Sequence, residues 1–166
     1  MKKTTKAVVG SMLAVGTVFG IGASVETPQS NEAHAATQPY YNYQGYTSSQ
    51  SNFILDKNFI NALKNDNLTI NGYKITENSK NSDKTIKKYD QQFYLASKNK
   101  ADGVWFDLKD GVVSKSKLLK VYGNPDTKPA SSAQGNEYNY NIGGKSVKFL
   151  ENNGYITKVG IHNGES

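Results

Sequence analysis

No cysteine occurs anywhere in the 166 residues. A disulfide framework, a thiol nucleophile and a thiolate metal site are all excluded by that one absence. Arginine is missing too, so all twenty basic side chains are lysine. Lysine attracts phosphate as a compact point charge, whereas arginine's planar fork reads guanine edges and grips phosphate bidentately. A basic protein built this way can hold polyanions but is poorly equipped to read a base sequence. Histidine is scarce, His34 and His162 being the two copies. No Gly-x-Ser-x-Gly turn, His-Glu-x-x-His pair or Gly-x-x-x-x-Gly-Lys loop is present. Asp102, Asp107 and Asp110 lack the alternating ligands of a calcium loop and read as turn acids. Neither an enzyme, a cofactor nor a metal is expected.

One long apolar run is present, Ala7 to Val25, behind the basic Met1-Lys2-Lys3 to Lys6 and ahead of Ala33-His34-Ala35. That order predicts a signal peptide over residues 1–35, cleaved after Ala35. A membrane anchor is the competing reading, but no basic stop-transfer cluster follows the run. The expected product is secreted and extracellular, at most loosely held at the cell surface, with no membrane span after cleavage. Residues 36–166 keep seventeen lysines against twelve acids, a net charge of +5.

Residues 36–52 are rich in Gln, Ser and Tyr, with Tyr40, Tyr41, Tyr43 and Tyr46. They read as a flexible arm that can pair part of its length with a sheet edge. Residues 53–166 read as a single α+β domain. In Phe53 to Asn65, Asp56 caps a helix, with Leu55 and Ile60 at the staple positions. Leu68–Ile70 and Tyr73–Ile75 flank Asn71-Gly72, as a tight hairpin or a bulged single strand. Thr85 to Leu95 reads as one long strand and Gly103 to Lys109 as another, with a polar loop over Glu77 to Asp83. Ser114 caps a second helix that Gly123-Asn124-Pro125 ends, and three alternating strands separated by Gly143-Gly144 and Asn153-Gly154 follow. The repeated layout predicts a two-layer α+β fold: an antiparallel sheet of about six strands with two helices on one face. This tandem helix-plus-three-strand pattern resembles the modules of β-lactamase-inhibitor-type proteins, most closely at Tyr122-Gly123-Asn124-Pro125.

Alternation gives the strands two sides. Val104, Phe106 and Leu108 form the apolar side of one strand, which turns Trp105, Asp107 and Lys109 outward. Reading Thr85 to Leu95 as unbroken puts Tyr94 opposite Phe93, on a side shared with Lys88. Tyr94, Trp105, Lys88 and Lys109 then decorate one exposed surface, which Lys84, Lys87, Lys98 and Lys100 can ring. Rings stack on bases and ammonium groups neutralise phosphates, at about 1–3 kcal/mol per stacked base. The bland alternative is that Trp105 simply enlarges the core under the arm or a loop.

Three stretches closely resemble the immunodominant staphylococcal antigen B family: Phe53-Ile54-Leu55-Asp56-Lys57-Asn58-Phe59-Ile60-Asn61-Ala62, the preceding Pro39-Tyr40-Tyr41…Tyr46, and Lys88-Tyr89-Asp90-Gln91. The resemblance implies a secreted, surface-associated antigen that binds DNA and RNA without sequence preference and has no known catalytic activity. It assigns no binding residues, so the candidates above rest on strand sidedness. A rival from another class is a protein-binding module, a host-factor adhesin or enzyme inhibitor that captures extracellular proteins with the tyrosines of residues 36–52.

Overall fold

The computed structural model describes residues 39–76 and 84–164. Residues 1–35, read above as a signal peptide, and residues 77–83, read as a polar loop, lie outside the described residues. Strand β1 (Tyr41–Tyr43) precedes a 3₁₀ turn (Ser51–Leu55) and helix α1 (Lys57–Lys64). Strands β2 (Leu68–Ile70), β3 (Tyr73–Ile75), β4 (Lys84–Lys88), β5 (Gln91–Ser97) and β6 (Lys100–Asp107) follow. Helix α2 (Lys115–Tyr122) leads into β7 (Ala130–Ser132), β8 (Gly135–Ile142), β9 (Lys145–Asn152) and β10 (Tyr155–Asn163).

The helix signals act as the sequence predicts. Asp56 Oδ1 accepts the Asn58 N–H at 2.8 Å, and Ser114 Oγ accepts that of Lys117 at 3.2 Å. Gly123 ends α2 at φ 81°, a backbone region glycine adopts without strain. Asn71-Gly72, Gly143-Gly144 and Asn153-Gly154 all have both residues at positive φ, the geometry a two-residue hairpin requires.

The architecture departs from the expected two-layer α+β arrangement. Ten strands form one mixed sheet, and the two helices are only eight residues each. Strands β4-β5-β6-β10-β9-β8-β7 pair antiparallel in that order. The β2-β3 hairpin carries β1 in parallel on β2 and joins β6 in parallel through Lys74–Lys100 and Ile75–Ala101. Three strands escaped the sequence pattern for physical reasons. Thr85 to Leu95 is folded in two at Tyr89-Asp90, a turn with no glycine to announce it. Strand β7 is Ala-Ser-Ser, with no apolar alternation, and β1 comes from the tyrosine-rich stretch. Parallel pairings close over long chain separations and leave no local signature.

One apolar cluster unites both halves, with Phe59, Leu63, Phe93, Val104, Phe106, Leu118, Phe149, Val159 and Ile161 fully buried. Helix α1 packs on β1, β2 and the 3₁₀ turn, and α2 on β10 and the same turn. Two polar knots pin the chain segments that meet around this core. Buried Lys145 pairs with Asp66, while the Asn163 amide donates to Asp102 at its backbone oxygen (2.9 Å) and carboxylate (2.8 Å). At the other knot, Asn71 donates to the Gly45 carbonyl at 2.9 Å and to Gln91 Oε1 at 2.5 Å, and accepts the Gly45 N–H at 2.7 Å. The tyrosine-rich stretch, read as a flexible arm, is therefore built in from β1 through Ser51, with Tyr43 in the core.

Candidate functional site

Strand register assembles the side of the sheet opposite the core into straight cross-strand lines. One runs Lys87, Gln92, Trp105, Gly160, Lys148, Asn139 across β4, β5, β6, β10, β9 and β8. A second runs Thr85, Tyr94, Gly103, His162, Ser146, Asn141 over the same strands. Their neighbours along each strand, among them Phe93, Val104, Phe106, Val147, Phe149, Val159 and Ile161, point into the core. Period-two alternation therefore separates a dry side from a wet one.

Each large ring on the wet side lies beside a glycine. A Cβ on Gly160 would stand 2.6 Å from the Trp105 indole, and one on Gly103 would collide with the His162 imidazole. Without those methyl groups the rings lie close to the neighbouring strand, and Trp105 and His162 are partly buried. His162 joins them into a row, its ring centre 5.5 Å from Tyr94 and 5.5 Å from Trp105. The Lys158 ammonium stands 5.9 Å from the centre of the indole, at cation–π distance. Burial pushes the His162 imidazole below its ordinary value; Asp102 opposes that shift and Lys148 adds to it. The imidazole is therefore uncharged at neutral pH.

Charge on this side is mixed. Lys148 pairs with Glu137 at 2.8 Å and Lys158 with Asp107 at 3.8 Å. Among the described residues, Lys87 and Lys100 are exposed with no acid at ion-pair distance. The arrangement offers flat apolar faces rimmed by ammonium groups, a surface for stacking and phosphate attraction.

The sequence-derived candidates scatter more than expected. Trp105 and Tyr94 do share the wet side, and Lys87 joins them in the Trp105 line. Lys100, beside Lys74, alternates with buried Ala101 and falls on that side too. Lys84 and Lys88 flank Ile86 on the opposite side, because the hairpin at Tyr89-Asp90 reverses the parity assumed for an unbroken strand. The Lys88 ammonium donates to the Asn71 carbonyl at 2.8 Å and stands over Tyr73. Lys98 is exposed in the β5–β6 turn, and Lys109 lies past the end of β6, its backbone N–H bound by Ser51 Oγ at 2.7 Å. The sequence reading missed His162, Lys148 and Lys158. Alternation puts Lys158, Gly160 and His162 opposite Val159 and Ile161, and Lys148 opposite Val147 and Phe149, but only the pairing of β10 with β6 and β9 brings them beside Trp105. On the helix side, a cleft of about 400 Å³ between α1 and α2 is lined by Ile60, Lys64, Val121, Tyr122, Asp126 and Ile142 among others. Its two rings, Tyr122 and Tyr140, stand 5.6 Å apart and are tied down, their hydroxyls donating to the Ile54 and Gly123 carbonyls.

The family model for immunodominant staphylococcal antigen B matches residues 40–161. The chain belongs to that family. Relatives described as immunodominant staphylococcal antigen B in Staphylococcus aureus strains USA300, NCTC 8325 / PS 47 and COL are each 42% identical over 141 residues. The aligned region covers 80% of this chain and 79% of each relative. The family is one of antigens rather than known enzymes. No solved structure matches the chain. The matched span includes β1 and the Lys88-Tyr89-Asp90-Gln91 turn and stops one residue before His162.

Proposed function

We propose that this member of the antigen B family is an exported protein that binds DNA and RNA without reading their sequence. Its interface in this reading is the wet side of the sheet, with Trp105, His162 and Tyr94 as the stacking row and Lys87, Lys100, Lys148 and Lys158 around it. The observation that carries the proposal is the row itself: three adjacent, partly buried rings, two of them set against glycines, on a surface with no arginine. Stacking on an aromatic face is sequence-tolerant because every base has a π-face, and lysine adds attraction without base recognition.

The test is a titration of scrambled single-stranded and duplex oligonucleotides over a range of salt concentrations. Affinity should fall with salt, log K declining by about 0.7 for each phosphate neutralised on a single strand and about 0.9 on a duplex. Trp105→Ala should weaken single-strand binding by about 5- to 100-fold, the loss of one stacked base. Salt-independent affinity, strong sequence selectivity, or an unchanged Trp105→Ala variant would each count against the reading. Export has its own check: the protein recovered outside the cell should begin at Ala36, and a product still carrying residues 1–35 would contradict it.

A further inference from the structure

The Lys88-Tyr89-Asp90-Gln91 turn takes no part in the aromatic row, yet it is braced by side-chain hydrogen bonds to chain segments far away in sequence. Asp90 accepts the Thr47 N–H at 2.9 Å, the Thr47 hydroxyl at 3.1 Å and the Ser48 N–H at 2.8 Å. Gln91, itself buried, donates to the Gly45 carbonyl at 3.1 Å and accepts a hydrogen bond from the Asn71 amide. The single proton of the Thr47 hydroxyl is shared between Asp90 and the Asp107 carbonyl, which lies 2.9 Å away and ties the loop to the end of β6. All this bracing presents two tyrosines to water. Tyr46 and Tyr89 are 55% and 51% exposed, the highest values among the large hydrophobic side chains, and their rings meet edge to face at 4.9 Å. Tyr89 holds φ at 58°, a left-handed conformation unusual for so bulky a residue. A strained residue and two exposed rings on a rigidly held loop describe a preorganised contact site better than a solvated turn, which needs neither the bracing nor the rings.

Its place in the chain puts it next to the row. Trp105 lies directly across from Gln92, and Tyr89 sits in the β4–β5 turn three positions before Gln92. Exposed Lys87 lies beside Gln92 and only two residues before Tyr89. We infer that the Tyr46–Tyr89 pair is a second stacking station for the same nucleic-acid strand, so that one bound strand runs from the Tyr94–His162–Trp105 row past Lys87 onto the braced turn. The inference rests on the proposed function and adds a ligand length: a strand of a few nucleotides fills the row alone, and a longer one engages both stations.

Quenching of Trp105 fluorescence reads the row, so two probes separate the stations: a thymidine trinucleotide and a thymidine octanucleotide. Both should quench the native protein, the octanucleotide binding about tenfold or more tightly as a tethered second contact forms. Tyr46→Ala and Tyr89→Gly should each lower octanucleotide affinity by about 5- to 100-fold and leave trinucleotide affinity unchanged. Glycine at position 89 keeps the positive φ, and an unchanged thermal midpoint shows that the turn is intact. If both variants keep the full octanucleotide affinity while Trp105 is still quenched, the second station is wrong and the row stands. If neither probe quenches the native protein, the row fails and the second station with it.

Discussion

At the scale of single residues the account turns on glycines. Gly160 exists beneath the indole because any Cβ there would force the ring off the sheet. Its φ lies outside the positive region, so alanine meets steric rather than backbone strain. Gly160→Ala is therefore expected to fold, shift the Trp105 emission toward longer wavelength as the ring lifts into water, and weaken oligonucleotide binding. An unchanged spectrum would mean the ring does not rest there. His162 gives the row a pH response. Its folded value lies below that of a free imidazole, so its contribution to stability is full above about pH 6.5 and is lost as pH falls through the lower folded value. The groups facing it are Asp102, Tyr94, Trp105, Ser146 and Lys148. Because a bound phosphate chain favours the imidazolium, affinity for an oligonucleotide should rise as pH drops from about 8 to about 5.5 while the free fold loses stability. His162→Gln should flatten the His162 part of both trends; unaltered pH profiles would remove the histidine from the row.

At the scale of elements, the β4–β5 hairpin decides most of what the sequence could and could not disclose. Alternation alone separated Trp105 and Tyr94 from Phe93, Val104 and Phe106, and the structure keeps that division. It could not see the reversal at Tyr89-Asp90, since that turn works through hydrogen bonds from Thr47 and Ser48, more than forty positions away in the chain. One unseen turn moved Lys88 to the core side and brought Lys87 to the wet one. His162 was illegible for a related reason: only the pairing of β10 with β6 sets it beside Trp105. The brace itself is testable. Asn71→Ala takes the Asn71 partner from the Gly45 N–H and from Gln91 Oε1, leaves the Gly45 carbonyl with Gln91 alone, and puts a residue at φ 48° with no side-chain amide to support it. A loss of about 1–3 kcal/mol in denaturant unfolding is expected, and a value near zero would show the loop to be loosely held. Burial raises the Asp90 carboxyl, but the Ser48 and Thr47 bonds outweigh it and leave the group below the usual carboxylate range. Its contribution to stability is then present above the ordinary aspartate value and lost as pH falls through the lower folded one.

At the scale of the whole molecule, the fold divides one sheet between two tasks. The side toward the helices is a continuous apolar cluster, which must supply stability without any disulfide. The other side carries rings, amides and lysines across six neighbouring antiparallel strands. The expected balance of two helices and about six strands understated the sheet, because a strand as short as Tyr41–Tyr43 offers too few residues for alternation to register and Ala130–Ser132 is exposed throughout. What did carry over was the second half of the chain. There the glycine-bearing turns set a β8-β9-β10 meander whose last strand brings Lys158, Gly160 and His162 to the site. Amide chemical-shift mapping with a short thymidine oligonucleotide tests the central claim most directly. The account predicts the largest shifts at Gln92, Tyr94, Gly103, Trp105, Gly160 and His162, fading as salt is added. Shifts concentrated on the α1–α2 cleft, around Ile60, Val121 and Ile142, with the β5, β6 and β10 amides unmoved, would contradict it.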